Sequence, residues 1–186
     1  MFGLVALWLL GVVAGVAWLC RYSVIPGPPA AAVTSWPTEL GPLRKGDRDT
    51  LVMVLHPDCP CSRASMSELA VLAADCEGDL SIEILFAQPP ELVENVRSTD
   101  LWQSAAQIPG AMLLEDRGGA LARSLGATTS GQVFLFDAGS ALRFSGGITS
   151  SRGHAGNNAG RVAIEAIVHK EAPGIKTTPV FGCSLW

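Results

Sequence analysis

The chain has 186 residues, 48% of them hydrophobic, and a net charge of −4. This length suits one domain of ordinary size plus an extra segment. The slight acidity and the lack of any cluster of Lys and Arg exclude a nucleic-acid-binding protein, which needs a basic surface for phosphates.

Part of the hydrophobicity is local. Phe2 to Leu19 carries no charge, and Arg21 follows it. A helix of that length spans about 27 Å, close to the hydrocarbon thickness of a bilayer. A cleaved signal peptide has a basic start, a shorter apolar core and a small-residue cleavage site. Here the run has no basic start and ends in Trp18, Leu19 and Cys20, with Trp18 suited to a membrane interface. The expectation is an uncleaved transmembrane anchor over residues 1–20. Bulky Leu19 argues against Cys20 as a lipidated cysteine. Arg21 alone would keep its side in the cytoplasm, whereas the cysteine usage further on suits an oxidising compartment. The expected arrangement is a single-pass protein with its domain facing the periplasm or cell exterior. Residues 21–49 read as a linker, with Pro26, Pro28, Pro29, Pro37 and Pro42 around an alanine run. Such a segment is extended and semi-rigid and holds a domain away from the membrane. Trp36 and Leu40 are placed to dock on that domain.

The globular part is expected over residues 50–186. Leu51 to His56 is a buried strand and Ser62 to Asp75 a helix, with Met66, Leu69, Ala70 and Ala73 at the spacing of a buried face. Leu80 to Ala87 is a second strand. Pro89 to Ile108 has a helical pattern through Leu92, Val93, Val96, Leu101 and Trp102. Ala111 to Glu115 is a short strand, and Arg117 to Leu125 a helix ended by Gly126. Gln132 to Asp137 and Ala141 to Ser145 form an antiparallel hairpin across a short turn. Gly160 to Lys170 closes the fold with Ile164, Ile167 and Val168 on one face, and an irregular tail runs from Glu171 to Trp186. Helices alternating with buried strands give an α/β fold with a central mixed sheet flanked by helices.

The chemistry gathers where the first strand hands over to the first helix. His56-Pro57-Asp58 breaks the strand, and Cys59, Pro60, Cys61 and Ser62 follow. Pro60 suits a first helical turn, because its missing N–H would have no partner there. The N–H groups and partial positive charge of a helix start stabilise a thiolate, so Cys59 reads as a nucleophile or metal ligand rather than a packing thiol. On a helix, Cys59 and Cys61 point to different sides, and a bridge between them needs a distorted first turn. Cys183 lies in the tail, where packing alone does not call for a thiol; it reads as a resolving thiol or half of a bridge. Cys76 follows the helix and reads as packing. His56 can raise the thiolate fraction of Cys59 or join Cys59 and Cys61, with Cys183, as a Cys/His site suited to Cu(I) or Zn. Arg152, in a glycine-rich loop, can stabilise an anion or thiolate, and His154 can act as a base; a turn that needs glycine explains the loop equally well.

These residues resemble the thioredoxin-like superfamily. A buried strand, Cys-Pro at a helix start and a later Phe-Leu-Phe-Asp before a hairpin carry the resemblance, over about residues 50–186. The nearest members are membrane-tethered thiol-redox proteins, peroxiredoxin-like proteins of the AhpC/TSA type and RedB-type redox proteins. In the thiol reductases the helix reads Cys-x-x-Cys, then Arg, Met and Glu-Leu; Cys59, Arg63, Met66, Glu68 and Leu69 fall in those places, and Ser62 replaces the second cysteine. Thr178-Pro179 before Gly182-Cys183 resembles a bacterial subgroup with Cys-Pro-x-Ser at the helix. The family's cis-proline position falls on Gly131, which leaves room for a metal. The resemblance implies thiol–disulfide exchange or peroxide reduction with Cys59 as nucleophile, Cys61 or Cys183 resolving, and His56, Pro60, Ser62, Arg63 and Arg152 in support. No organic cofactor is implied, and the partners are protein thiols, disulfides or peroxide. The alternative is a copper carrier using Cys59, Cys61 and His56. An exposed apolar tail end would be a liability, so Val180, Phe181, Leu185 and Trp186 predict that the tail folds back and carries Cys183 towards the Cys59–Cys61 turn.

Overall fold

A computed structural model describes residues 2–31, 33–43, 47–90 and 95–186. The first element is α1, Phe2–Val24, a helix with no buried residue that is long and apolar enough to cross a membrane. The sheet elements are β1 (Asp49–Leu55), β2 (Leu80–Gln88), β3 (Met112–Arg117), β4 (Gln132–Phe136) and β5 (Leu142–Gly146). The domain helices are α2 (Ser62–Asp75), α3 (Asp100–Ala105), α4 (Ala120–Ser124) and α5 (Ala159–Val168).

The sheet order is β3-β2-β1-β4-β5. β1 runs parallel to β2, β2 parallel to β3, and β4 and β5 close the other side antiparallel. This is the mixed sheet that the strand and helix pattern predicts. β1 is central and every residue from Thr50 to Leu55 is buried, which is why its sequence is a continuous apolar run. Its side chains alternate between two cores. Leu51, Met53 and Leu55 pack with Met66, Leu69 and Leu72 of α2 and Ile164 and Ile167 of α5. Val52 and Val54 pack on the opposite face with Phe134, Phe136, Ala122 of α4 and Leu40.

A buried ion pair joins the helices of the first core. Glu68 of α2 accepts from Arg161 Nε and Asn158 Nδ2, each at 3.0 Å, and from the Gly156 N–H at 2.6 Å. Asn158 also caps α5 by accepting from the Arg161 N–H at 2.8 Å. The glycine-rich loop after β5 is thereby fixed to the helix that follows the cysteines.

Two stretches are less helical than their patterns suggest. Between residues 95 and 108 there is one turn of 3-10 helix, Val96–Ser98, followed by α3, with Thr99 accepting from the Trp102 N–H as its cap. Leu92 and Val93 lie outside the described residues. Arg117 to Leu125 begins as a turn, because Gly118 and Gly119 hold φ of 75° and 69°. The buried Asp116 carboxylate then accepts the Leu121 and Ala122 N–H groups and starts α4 only at Ala120.

The segment after α1 lies on the domain rather than spacing it from the helix. Gly27 N–H donates to the Val180 carbonyl and Ala31 N–H to the Gly126 carbonyl. The Thr128 hydroxyl donates to the Pro28 carbonyl at 2.9 Å. Trp36 meets Phe136 edge-on at 5.1 Å, and Leu40 is fully buried. The tail does fold back: Val180 and Leu185 are buried, Leu185 N–H donates to Thr128, and Trp186 stacks on the Arg123 guanidinium at 3.8 Å.

Candidate functional site

Three segments meet at the end of β1: the turn from His56 to Ser62, the loop Thr128–Gly131 before β4, and the tail at Gly182–Cys183. The Cys59, Cys61 and Cys183 sulfurs all lie within 4.8 Å of one another. All five cysteines are free thiols here.

Cys59 and Cys61 share a side because the chain between them is not α-helical. Cys59 N–H donates to His56, Ser62 N–H to Cys59 and Arg63 N–H to Pro60, a run of three-residue turns. α2 starts at Ser62 with Cys61 at its cap position. Pro60 therefore sits in the turn just before the helix. The tighter winding brings together two residues that a regular helix would point apart.

The loop before β4 holds the turn in place. Ser130 Oγ accepts from the His56 N–H at 2.8 Å and lies 2.8 Å from Ser62 Oγ. Ser130 N–H donates to the Cys183 carbonyl at 2.8 Å. Gly131, where the resemblance puts the family's cis-proline, has φ of 91°, and its N–H donates to Val54. Gly182 passes so close to Ser130 that a Cβ there would stand 1.9 Å from the Ser130 carbonyl oxygen. A glycine before Cys183 is what allows the tail to reach the turn.

Cys59 is 3% exposed, not the open thiol that a helix edge suggests. Burial pushes its thiol up, but hydrogen bonds from Ser62, from the Cys183 thiol and backbone N–H, and from Ser130 outweigh that and leave it below the ordinary value of 9.0. The Cys183 N–H lies 3.4 Å from Cys59 Sγ. Burial and the neighbouring Cys59 push Cys61 up, with Arg152 opposing them. Cys183 is pushed up to about 12 by burial, by its hydrogen bond to Cys59 and by the negative charge of both neighbours. One sulfur thus takes the charge and the others act as protonated neighbours. Cys76, at the far end of α2, is buried and pushed up to about 11 by burial and by Glu165, Asp75 and Asp79.

The remaining sequence candidates divide. Arg152 donates to the Gly182 carbonyl and stands beside Cys61. His56 stays outside the sulfur cluster, with Nδ1 accepting from the Asp58 N–H at 3.1 Å. Cys183 stands beside Cys59 and Cys61 instead. Arg63 is turned to solvent, paired with Asp100 at 3.2 Å. With Pro57, Cys59, Thr99 and Leu101 it lines a cleft of about 370 Å³ that leads to Cys59. His154 is exposed in its loop. Ser130 is the residue that sequence reasoning passed over, although Gly131 beside it was already marked by its place before β4.

No family model matches the chain, and no curated protein matches it. Solved structures do. One is a hypothetical protein from Sinorhizobium meliloti 1021, with 22% identity, 88% of this chain and 94% of that one covered, and a TM-score of 0.64. Another is an uncharacterized conserved protein from Geobacillus kaustophilus, with 20% identity, coverage of 88% and 93%, and a TM-score of 0.65. A third is a thioredoxin-like protein solved in its oxidized form, with 16% identity, coverage of 80% and 92%, and a TM-score of 0.49. The first two share the mixed-sheet fold of this chain over nearly nine tenths of its length. In this frame the Cys59–Ser62 turn stands at the handover from central strand to helix, and the tail adds a third sulfur to it.

Proposed function

We propose that this protein is a membrane-anchored thiol–disulfide redox protein with Cys59 as its nucleophile. The observation that carries the reading is the Cys183 N–H at 3.4 Å from a Cys59 sulfur that the Ser62–Ser130 hydroxyl pair also faces. A thiolate so held attacks a partner disulfide, forming a mixed disulfide and expelling one partner thiolate, which takes up a proton. Cys61 or Cys183 then attacks the Cys59 sulfur, releasing the second partner thiol and leaving an intramolecular disulfide. Two electrons pass to the partner, and an external dithiol restores the reduced pair. With a peroxide, Cys59 becomes a sulfenic acid as water or an alcohol leaves, and the second thiol condenses with loss of water. Residues 1–20 anchor the protein, residues 21–49 connect, and the domain over residues 50–186 faces the periplasm or cell exterior, where such a pair can cycle.

The test is exchange with a small disulfide and reduction of hydrogen peroxide by purified protein. Cys59→Ser should lower either rate by at least a hundredfold, and Cys76→Ser should leave it within about twofold. Equal loss in both variants would remove Cys59 from its role.

A second reading rests on the same cluster. Three soft sulfurs within 4.8 Å of one another fit Cu(I), which accepts three thiolates. Cys59, Cys61 and Cys183 would hold the ion, with His56 outside the set. One equivalent of copper retained by the reduced protein, and lost in Cys183→Ser, would favour the carrier.

A further inference from the structure

The apolar helix and the thiol cluster are joined by a short path. Ser23, in the last turn of α1, accepts from the Arg152 N–H at 2.9 Å. The Arg152 guanidinium lies over the Tyr22 ring, 4.8 Å from its centroid. The same guanidinium donates to the carbonyl of Gly182, the residue before Cys183. Further along, Gly27 bonds Val180, and the Pro28 carbonyl accepts from the Thr128 and Thr129 hydroxyls beside Ser130. The chain leaving α1 is therefore stitched to the segments that form the site. A flexible linker of this length would let the domain wander by roughly 30 Å, and these bonds remove that freedom.

The end of α1 is built for an interface. Trp18 stacks on Tyr22 with centroids 6.0 Å apart, and Arg21 lies between them in sequence. Aromatic rings and a basic residue in such a position settle at headgroup level. Val24 and Ile25 are exposed, so apolar surface continues past the helix to the point where the chain meets the domain. A bilayer whose hydrocarbon takes Phe2 to Ala17 has its headgroups at Trp18 to Tyr22, and Tyr22 touches Arg152.

We propose that the thiol site is held against the headgroup layer of the membrane that takes α1, on a face formed by Tyr22, Val24, Ile25 and Arg152. This rests on the membrane-anchored redox reading above. The partner it fits is a membrane protein whose reacting sulfurs lie at that depth. Fixing both proteins in one layer raises their effective concentration for each other.

The test uses the full chain, reduced, in phosphatidylcholine vesicles containing a small fraction of lipid with a maleimide headgroup. Captured cysteines are read by mass spectrometry, each as a ratio to its labelling by a soluble maleimide. Cys20 reports insertion of α1, and buried Cys76 is the internal control. The expected result is a ratio for Cys61 and Cys183 close to that of Cys20 and at least tenfold above that of Cys76. Arg152→Ala should lower the Cys61 and Cys183 ratios several-fold and leave Cys20 unchanged. Tyr22→Ala serves the same purpose should the first variant fail to fold. High capture of Cys20 with Cys61 and Cys183 at the Cys76 level overturns the proposal while the anchor stands. Failure to capture Cys20 overturns both.

Discussion

Cys59 owes its character to donors rather than to a cationic neighbour. The Cys183 backbone N–H and the Ser62–Ser130 hydroxyl pair, with the one proton its own hydrogen bond leaves free, face one sulfur that is nearly buried. A hydrogen bond to a charged acceptor is worth about 1.5–3 kcal/mol, and 1.4 kcal/mol is tenfold in an equilibrium. Ser62→Ala removes one donor, so the Cys59 pKa should rise. The sign follows directly: less thiolate is present at any pH below the ordinary thiol range, and reaction there slows. At pH 7 the alkylation rate of Cys59 should fall on the order of tenfold, with the variant recovering as the pH approaches 9. A pH–rate profile with iodoacetamide, resolved by peptide, checks this. An unchanged profile would mean that Ser62 only packs.

At the scale of elements, α2 carries both the site and its support. The turn that leads into it carries the cysteines, and Glu68 ties its middle to Arg161, Asn158 and Gly156. Losing the Glu68 charge weakens its buried hydrogen bonds, while Arg161 keeps Glu165 at 2.6 Å and Asp75 at 3.6 Å; a hydrogen bond to a charged group is worth about 1.5–3 kcal/mol. Glu68→Gln should destabilise the domain by roughly that amount in urea melts, and the glycine-rich loop should become susceptible to proteolysis before the rest. β1 and α2 were legible in the sequence because an unbroken apolar run and a clean helical face leave few alternatives. α4 was less so: Leu121 and Leu125 carry a helical pattern, but Gly118, Gly119 and the Asp116 cap delay its start. The same limit applies at the site. Cys-Pro at a helix start was readable. The tight turn that brings Cys61 beside Cys59, and the use of Ser130 seventy residues on, depend on contacts distant in sequence.

At the scale of the whole molecule, the segment after α1 behaves as part of the fold. Composition marked residues 21–49 as a spacer because prolines favour extended chain, and extended chain is also what lies along a surface and bonds with it. A chain beginning at Ser35 keeps Trp36 and Leu40 in the second core but loses the bonds from Ser23, Gly27, Pro28 and Ala31. It should remain soluble and melt cooperatively. Its Tm should drop by about 2–8 °C, the equivalent of 1–2 kcal/mol in a domain of this size. Loss of a cooperative transition would place the docked segment in the essential core.

Cys59 and one of its two sulfur neighbours should form a reversible redox pair. The most direct measurement is disulfide mapping by mass spectrometry, on protein equilibrated in glutathione buffers of graded potential and quenched by alkylation. One intramolecular bridge, Cys59–Cys183 or Cys59–Cys61, should form and open at moderate potential, with Cys76 and Cys20 unbridged throughout. Cys59 alkylated as a free thiol at every potential, or a bridge that excludes Cys59, would contradict it.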